Sequence, residues 1–329
     1  MKNLSRRNFI QSGTLLGIAA TGLIPGSLQA SKIFSPLPHP TDSVYAPDLS
    51  VYIFSKHLQF LDFKEMAEAA KQIGFAGVDL TLRPDGHVAP EKVEDDLPKA
   101  LEAMRASGLQ AQMLTTSITS TEEPHTHKIL KTAAKLGFKY YRTGWLKYPE
   151  DKSLPDALDI YEKQFKQLSK LNQQLGICGA YQNHAGDYVG AAIWDLYELL
   201  EDQSKEWLGV QYDVRHATVE GGYSWYQDLR LIQPYIKTLV LKDFVWEKKN
   251  NRWEAQSVPL GEGMVDFEKY FKFLQKHQIH VPVSLHLEYP LGGAEHGHKK
   301  LSISPEEVFR AMKKDLETLQ SLWKKASEG

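Results

Sequence analysis

The sequence predicts an α/β protein built as one closed (β/α)8 barrel over residues 49–329, with an export signal and a short linker ahead of it. Short β-branched or apolar runs alternate with longer stretches of helical period, which is the pattern of βα units around a parallel sheet. Eight such units fit in about 280 residues, and with right-handed crossovers that count suits closure into a barrel. An open doubly wound sheet would carry a G-x-G-x-x-G loop after its first strand, and none follows "LSVYIF".

The expected strands run over residues 49–54, 77–82, 109–114, 139–145, 177–184, 208–214, 236–244 and 281–289. Helical segments between them carry their own start and stop signals. In "LDFKEMAEAAKQIG", Asp62 caps, Glu65 closes the capping box, and Phe63, Met66, Ala70 and Ile73 share a face before Gly74 ends the helix. In "SPEEVFRAMKKDLETLQSLW", Ser304 caps, Pro305 takes the first helical position, and Val308, Met312, Leu316 and Leu319 form the stripe to be buried.

Residues 1–30 are set apart from the fold. "SRRNFI" places Arg6 and Arg7 before the uncharged "GTLLGIAATGLI", and Ala30 closes a small-residue cleavage pattern, so the segment resembles a twin-arginine export signal. Its apolar run is too short and Gly-rich for a spanning helix, so the expected location is the periplasm, membrane-tethered only if the signal stays uncleaved. Residues 31–48 are Pro-rich and aperiodic and read as a linker.

The formal net charge is −2 and no dense Lys/Arg stripe occurs, which argues against a nucleic-acid partner and for a neutral or small anionic ligand. The lone cysteine, Cys178, excludes an intrachain disulfide and a thiolate metal cluster, and reads as a buried strand residue.

In a barrel of this kind the chemistry lies at the C-terminal strand ends, where inward positions recur every second residue. That period puts Gln182 with His184, Gln211 with Asp213, Val240 with Lys242, and Ser284 with His286 and Glu288. Four strands thus deliver polar groups to one cavity, where a purely structural barrel would favour aliphatic residues. Arg83 and His87 follow the second strand, while His57 and Trp145 follow the first and fourth; these are the expected substrate contacts. "LGGAEHGHKK" reads as a lid loop with Gly292 and Gly293 as hinges and His296 and His298 in solvent.

Several of these stretches resemble the xylose-isomerase-like TIM-barrel superfamily of sugar isomerases and epimerases. "QYDVRHA" is similar to its D-x-x-H turn, "LVLKDF" to its H-x-K-D strand end, "VPLGEGMVDF" to its G-E-G-x-V-D segment, "YQNH" to its E-N-H, and "VSLHLEY" to its last acidic strand. The resemblance implies one divalent metal (Mn, Zn, Co or Mg) held by a Glu, an Asp, a His and a second Glu. Asp213 retains the Asp; Gln182 replaces the first Glu, Val240 the His, and His286 the final Glu, with Glu288 in phase two residues later. The implied ligand set is therefore Gln182, Asp213, His286 and Glu288, with His184 nearby as a further contact.

The implied reaction is proton transfer beside the carbonyl of a sugar or keto-sugar. Lys242 would stabilise the enediolate, His216 would handle protons near a substrate oxygen, and Glu288 or His286 would be the acid–base partner. A 3-keto-glycoside lyase or hydratase uses the same parts, and a non-catalytic carbohydrate-binding barrel is the reading from a different class. A glycosidase is disfavoured because strand four ends in "RTGW" with no acid, and an apurinic endonuclease by charge and export. A homo-oligomer remains open.

Overall fold

A computed structural model describes residues 49–328; the twin-arginine segment and linker expected over 1–48 lie outside the described residues. Eight parallel strands close into a barrel: β1 (Val51–Phe54), β2 (Gly77–Thr81), β3 (Gln110–Thr115), β4 (Tyr140–Arg142), β5 (Cys178–Gln182), β6 (Leu208–Asp213), β7 (Ile236–Leu241) and the last strand, β10 (Val283–Leu285). Each pairs with its neighbour in chain order, and β10 closes the ring by pairing in parallel with both β1 and β7.

The barrel helices follow the local signals. α1 (Phe63–Ile73) starts at Asp62, whose carboxylate accepts from Glu65 N at 2.8 Å while the Glu65 side chain accepts from Asp62 N at 3.1 Å; it ends at Gly74 with φ 111°. α2 spans Val93–Ala106, α3 Thr126–Leu136, α4 Leu154–Leu175, α5 Ile193–Leu200, α6 Val214–Gly221, α7 Trp225–Ile232 and α8 Phe267–Lys276. α9 (Pro305–Glu328) begins with a reciprocal Ser304–Glu307 box and buries Val308, Met312, Leu316 and Leu319. Each such side chain removed from water contributes roughly 1.5–3 kcal/mol, so the helical jacket is held on mainly by this apolar stripe. Cys178 is buried and free, its thiol pushed up to about 12 by burial.

The structure departs from the expected strands after β7. The run expected to continue to Phe244 leaves the barrel at Leu241, and an antiparallel hairpin of β8 (Asp243–Lys249) and β9 (Arg252–Val258) stands outside the ring. Its two-residue turn is Asn250-Asn251, both at positive φ (48° and 62°), the conformation that a tight hairpin demands and asparagine tolerates. Asp243 ties the return chain to the barrel rim: its carboxylate accepts from the backbone N–H groups of Phe244, Gly261, Gly263 and Val265 at 2.9–3.1 Å. A Cβ on Gly263 would lie 2.2 Å from Asp243 Oδ1, so glycine is required there. The K-D pair thus divides its labour, with Lys242 facing the cavity and Asp243 clamping the loop.

Among the described residues, no helix is long and apolar enough to cross a membrane.

Candidate active site

The C-terminal ends of the strands enclose a cavity of about 190 Å3 lined by ten residues, among them Phe54, Trp145, His184 and His286. At about 30 Å3 per water this is room for roughly six waters, the scale of one small molecule. Polar side chains converge on its floor because parallel strands in register put their last inward residues at one height.

Lys242 is the hub. Its side chain is 3 % exposed, and Nζ lies 2.9 Å from His216 Nε2, 3.0 Å from Glu288 Oε2 and 3.2 Å from Asp213 Oδ2. Asp213 is fully buried and doubly held: Oδ2 accepts from Gln182 Nε2 at 2.8 Å and Oδ1 from the His216 backbone N–H at 3.1 Å, where it caps α6. Asn183 fastens β5 to β6 by accepting from Asp213 N (2.7 Å) and donating to Asp213 O (2.9 Å), which explains the asparagine of "YQNH". Glu288 also accepts from Lys56 Nζ at 3.2 Å. Burial alone would raise the Glu288 carboxyl, but the adjacent Lys242 and Lys56 hold it well below the usual carboxylate range.

The histidines are neutral. Burial, then the charge of Lys242, pulls His184 and His216 down, His216 well below its ordinary value. His216 sits between two cations: Arg215 Nη1 donates to its Nδ1 at 3.0 Å, and Lys242 faces its Nε2. A neutral ring has one lone pair, so it can accept from only one of them. His184 is simpler. Its Nδ1 lies 2.8 Å from the Ala185 carbonyl and must donate to it, which leaves Nε2 as an open acceptor among Trp145, Tyr188 and His216.

The residues expected from the sequence divide accordingly. Lys242, Glu288, Gln182, His184, His286, Arg83 and Trp145 line the cavity; Asp213 and His216 lie directly behind Lys242. His57 and His87 do not line it. His57 is fully buried and satisfied by backbone, accepting from Leu287 N at 3.0 Å and donating to Ala294 O at 3.1 Å, so it braces β1 against the chain after β10. His87 folds under its own loop onto Ser55 (3.1 Å) and is pulled to about 4 by burial. The expected lid is pinned by the same His57 bond and by Glu295, whose carboxylate accepts from Leu291 N and Gly293 N. Gly292 and Gly293 take positive φ in its turn.

Three residues were not anticipated. Arg142 at the end of β4, Lys56 after β1 and Asp79 in β2 all belong to the site. Arg142 donates to Gln182 Oε1 at 3.0 Å and lies over the Trp145 ring at 4.2 Å. Asp79 is buried beneath, accepting from Ser284 (2.7 Å) and Thr115 (3.0 Å), with its carboxyl raised by burial. The available signal was a charged residue at an inward strand position, present in both "YYRTGW" and "GVDLT".

The expected metal set does not fit a divalent ion. The Lys242 ammonium fills the space between Asp213 and Glu288 that a cation would take. Gln182 turns its oxygen to Arg142, which only donates, and its NH2 to the carboxylate of Asp213, so the orientation is dictated by chemistry and the oxygen is spent. His286 stacks on Phe54 at 4.2 Å and gives Nε2 to Ser284. No group of three His, Cys, Asp or Glu side chains able to hold a metal occurs among the described residues.

Comparison with known proteins agrees with the architecture. The family model for xylose isomerase-like TIM barrels matches residues 67–312, whereas no curated protein matches. Among solved structures, D-allulose 3-epimerase from Methylomonas sp. in complex with D-allulose superposes with a TM-score of 0.60 at 13% identity, covering 83% of this chain and 97% of that one. The probable 3-DHS dehydratase AsbF of Bacillus anthracis gives 0.61 at 14% identity (82% and 98% covered), and the IOLI protein with a bound zinc atom 0.64 at 16% (84% and 99%). At such identities these likenesses concern the fold. The match over most of the chain shows that it belongs to the xylose isomerase-like TIM barrel family.

Proposed function

We propose that this barrel is a sugar isomerase- or epimerase-like enzyme that moves a proton beside the carbonyl of a sugar or keto-sugar, and that it is exported through its Arg6–Arg7 segment. The observation that carries the reading is Lys242: an ammonium almost sealed from solvent, at the cavity floor, beside an ionised Glu288 and a neutral His184 with a free ring nitrogen.

Lys242 has three N–H donors: Asp213 and Glu288 take two, and the third faces His216 Nε2, which cannot accept it while Arg215 donates to Nδ1. Glu288, with a side chain 28% exposed, is the contact an entering oxygen displaces. A substrate carbonyl then rests on Nζ, and Glu288, left with Lys56, loses one of the two cations that keep it acidic and becomes a stronger base. It takes the proton from the carbon beside the carbonyl. The electron pair moves onto the carbonyl oxygen, where the ammonium stabilises the enediolate; fixed donors of this kind contribute about 2.7–4 kcal/mol to the barrier. The hydroxyl proton of the deprotonated carbon passes to the old carbonyl oxygen by way of the Lys242 ammonium, which gives one proton and takes one back, and return of the carbon-bound proton by Glu288 to the former carbonyl carbon completes an isomerisation.

Inversion at one carbon needs a donor on the opposite face. His216 is not that donor, because with Arg215 donating to Nδ1 its proton sits on Nε2 against an ammonium that has no lone pair to receive it. The donor is Lys242 itself, which gives one N–H proton to the carbon, becomes a neutral amine and recovers a proton from the protonated Glu288 across 3.0 Å. A lyase uses the same first step, with Lys56, 3.2 Å from Glu288 at the cavity edge, protonating a leaving oxygen. No step is routed through a metal, because the donor set does not fit one.

The test is deuterium wash-in from solvent into a panel of sugars and keto-sugars, comparing the native chain with Asp213→Asn and Lys242→Met. The proposal expects wash-in that both substitutions abolish. Absence of exchange from every sugar would favour a carbohydrate-binding barrel, and exchange indifferent to both variants would retire the assignment.

A further inference from the structure

Four cations line the cavity, and only two of them are matched. Lys242 is neutralised by Asp213 and Glu288, and Lys56 shares Glu288. Arg83 and Arg142 have no carboxylate within ion-pair distance among the described residues. Arg142, 4 % exposed, meets only neutral acceptors, Gln182 Oε1 at 3.0 Å and Thr116 O at 3.3 Å, and its buried Nε has no partner. Arg83 faces the Phe54 ring at 5.6 Å. Asp79, buried beneath them, is felt by both guanidiniums through space but forms no ion pair with either: its oxygens accept from Ser284 and Thr115, and burial raises its carboxyl.

Holding a guanidinium out of water without a counter-ion is costly, and here two stand on the same side of one cavity. Each packs against an aromatic ring, Arg142 at 4.2 Å from Trp145 and Arg83 at 5.6 Å from Phe54, a contact in place before any ligand arrives. Two planar forks side by side match the two coplanar oxygens of a carboxylate. They approach from β2 and β4, while Lys242 and Glu288 lie on the β7 and β10 side, so the reacting carbonyl and the anion occupy opposite ends of the same small molecule.

We propose that Arg83 and Arg142 form a carboxylate-binding subsite and that the substrate is therefore a sugar acid, a uronate or aldonate, with its carboxylate on the guanidiniums and its carbonyl on Lys242. This rests on the proton-transfer reading of the same cavity.

The test is calorimetric binding of matched pairs to the full chain: D-glucuronate against D-glucose, D-galacturonate against D-galactose, and D-glucose 6-phosphate as the competing anion. The expected result is that at least one acid binds about tenfold or more tightly than its neutral partner, that Arg83→Gln and Arg142→Gln reduce this preference to about threefold or less, and that the phosphate ester binds more weakly than the acid. Arg83 is the more exposed of the two, so its variant carries the test if Arg142→Gln fails to fold. Equal binding of acids and neutral sugars, or a preference that survives Arg83→Gln, overturns the proposal; tighter binding of the phosphate ester overturns the carboxylate assignment. Wash-in on the same pairs separates the two claims. Acid-selective binding without exchange would refute the proton transfer and leave the subsite standing, and exchange with no acid preference would do the reverse.

Discussion

Replacing Lys242 by Met shortens the side chain by its terminal atom and removes its charge. In the native chain Nζ stands 3.0 Å from Glu288 Oε2 and 3.2 Å from Asp213 Oδ2, with the lysine 3 % and Asp213 0 % exposed. Removing one member of a buried pair leaves an uncompensated charge and costs about 3–5 kcal/mol; Asp213 keeps Gln182 as partner, and Glu288 keeps Lys56, so the lower end applies. Urea unfolding at neutral pH should therefore show a loss of about 3 kcal/mol. The sign with pH follows from the charges. Without the ammonium, a buried carboxylate has a folded-state pKa above its unfolded value near 4, so the deficit is fully present at neutral pH and shrinks as pH falls through that raised pKa. The position vacated by Nζ also becomes a point bounded by the carboxylates of Asp213 and Glu288, donors suited to a divalent ion. Manganese added at about 100 times its dissociation constant should return about 2.7 kcal/mol to the variant and nothing to the native chain. A deficit under about 1 kcal/mol that is flat with pH, or equal stabilisation of both proteins by manganese, would refute the arrangement of charges described.

Other consequences are open to measurement. Because burial and Lys242 pull His184 below its ordinary value, a rate that depends on its neutral ring should hold on acidification until below about pH 6.5; an acid limb at pH 7 or above would speak against it, and His184→Gln should remove the limb. His286 is drawn to about 4 chiefly by burial, so the unfolded chain binds its proton first: stability present above about pH 6.5 drains as pH falls toward 4, by about 3 kcal/mol in all, and His286→Gln should flatten that slope in urea titrations. Asp243→Asn leaves a single amide oxygen for four backbone donors; unfolding should show a loss of about 1–3 kcal/mol, with faster hydrogen exchange at Gly261, Gly263 and Val265, and an unchanged exchange pattern there would contradict the clamp.

Much of the barrel was legible because its signals are local. Short, largely apolar runs bounded by turn residues mark strands buried on both faces, as in "GVDLTL" and "LGVQYDV", and Asp62 and Ser304 cap as their spacing demands. The hairpin of β8 and β9 escaped because "IKTLVLKDF" reads as one strand, whereas the backbone turns out of the ring between Leu241 and Asp243; the Asn250-Asn251 turn was its one sequence mark. The inward phase of Asp213, Lys242 and Glu288 could be counted from the strand ends. Hydrogen-bond partners could not, since they depend on which strands are neighbours and how far each side chain reaches. His57 illustrates this: a histidine after β1 has the same sequence appearance whether it faces a ligand or, as here, two backbone groups near β10. Arg142 and Asp79 belong to no motif, and Asp79 stands two residues short of its strand end, so nothing in the sequence pattern separates them from charged residues at a strand margin.

The central claim is that the charge of Lys242, in the place where a divalent ion would sit, stabilises the enediolate. It is tested most directly by following deuterium wash-in on the native protein as a chelator is titrated in. The account predicts an exchange rate unchanged at every chelator concentration. A rate that falls to the solvent background with chelation and returns when a divalent cation is added back would contradict it.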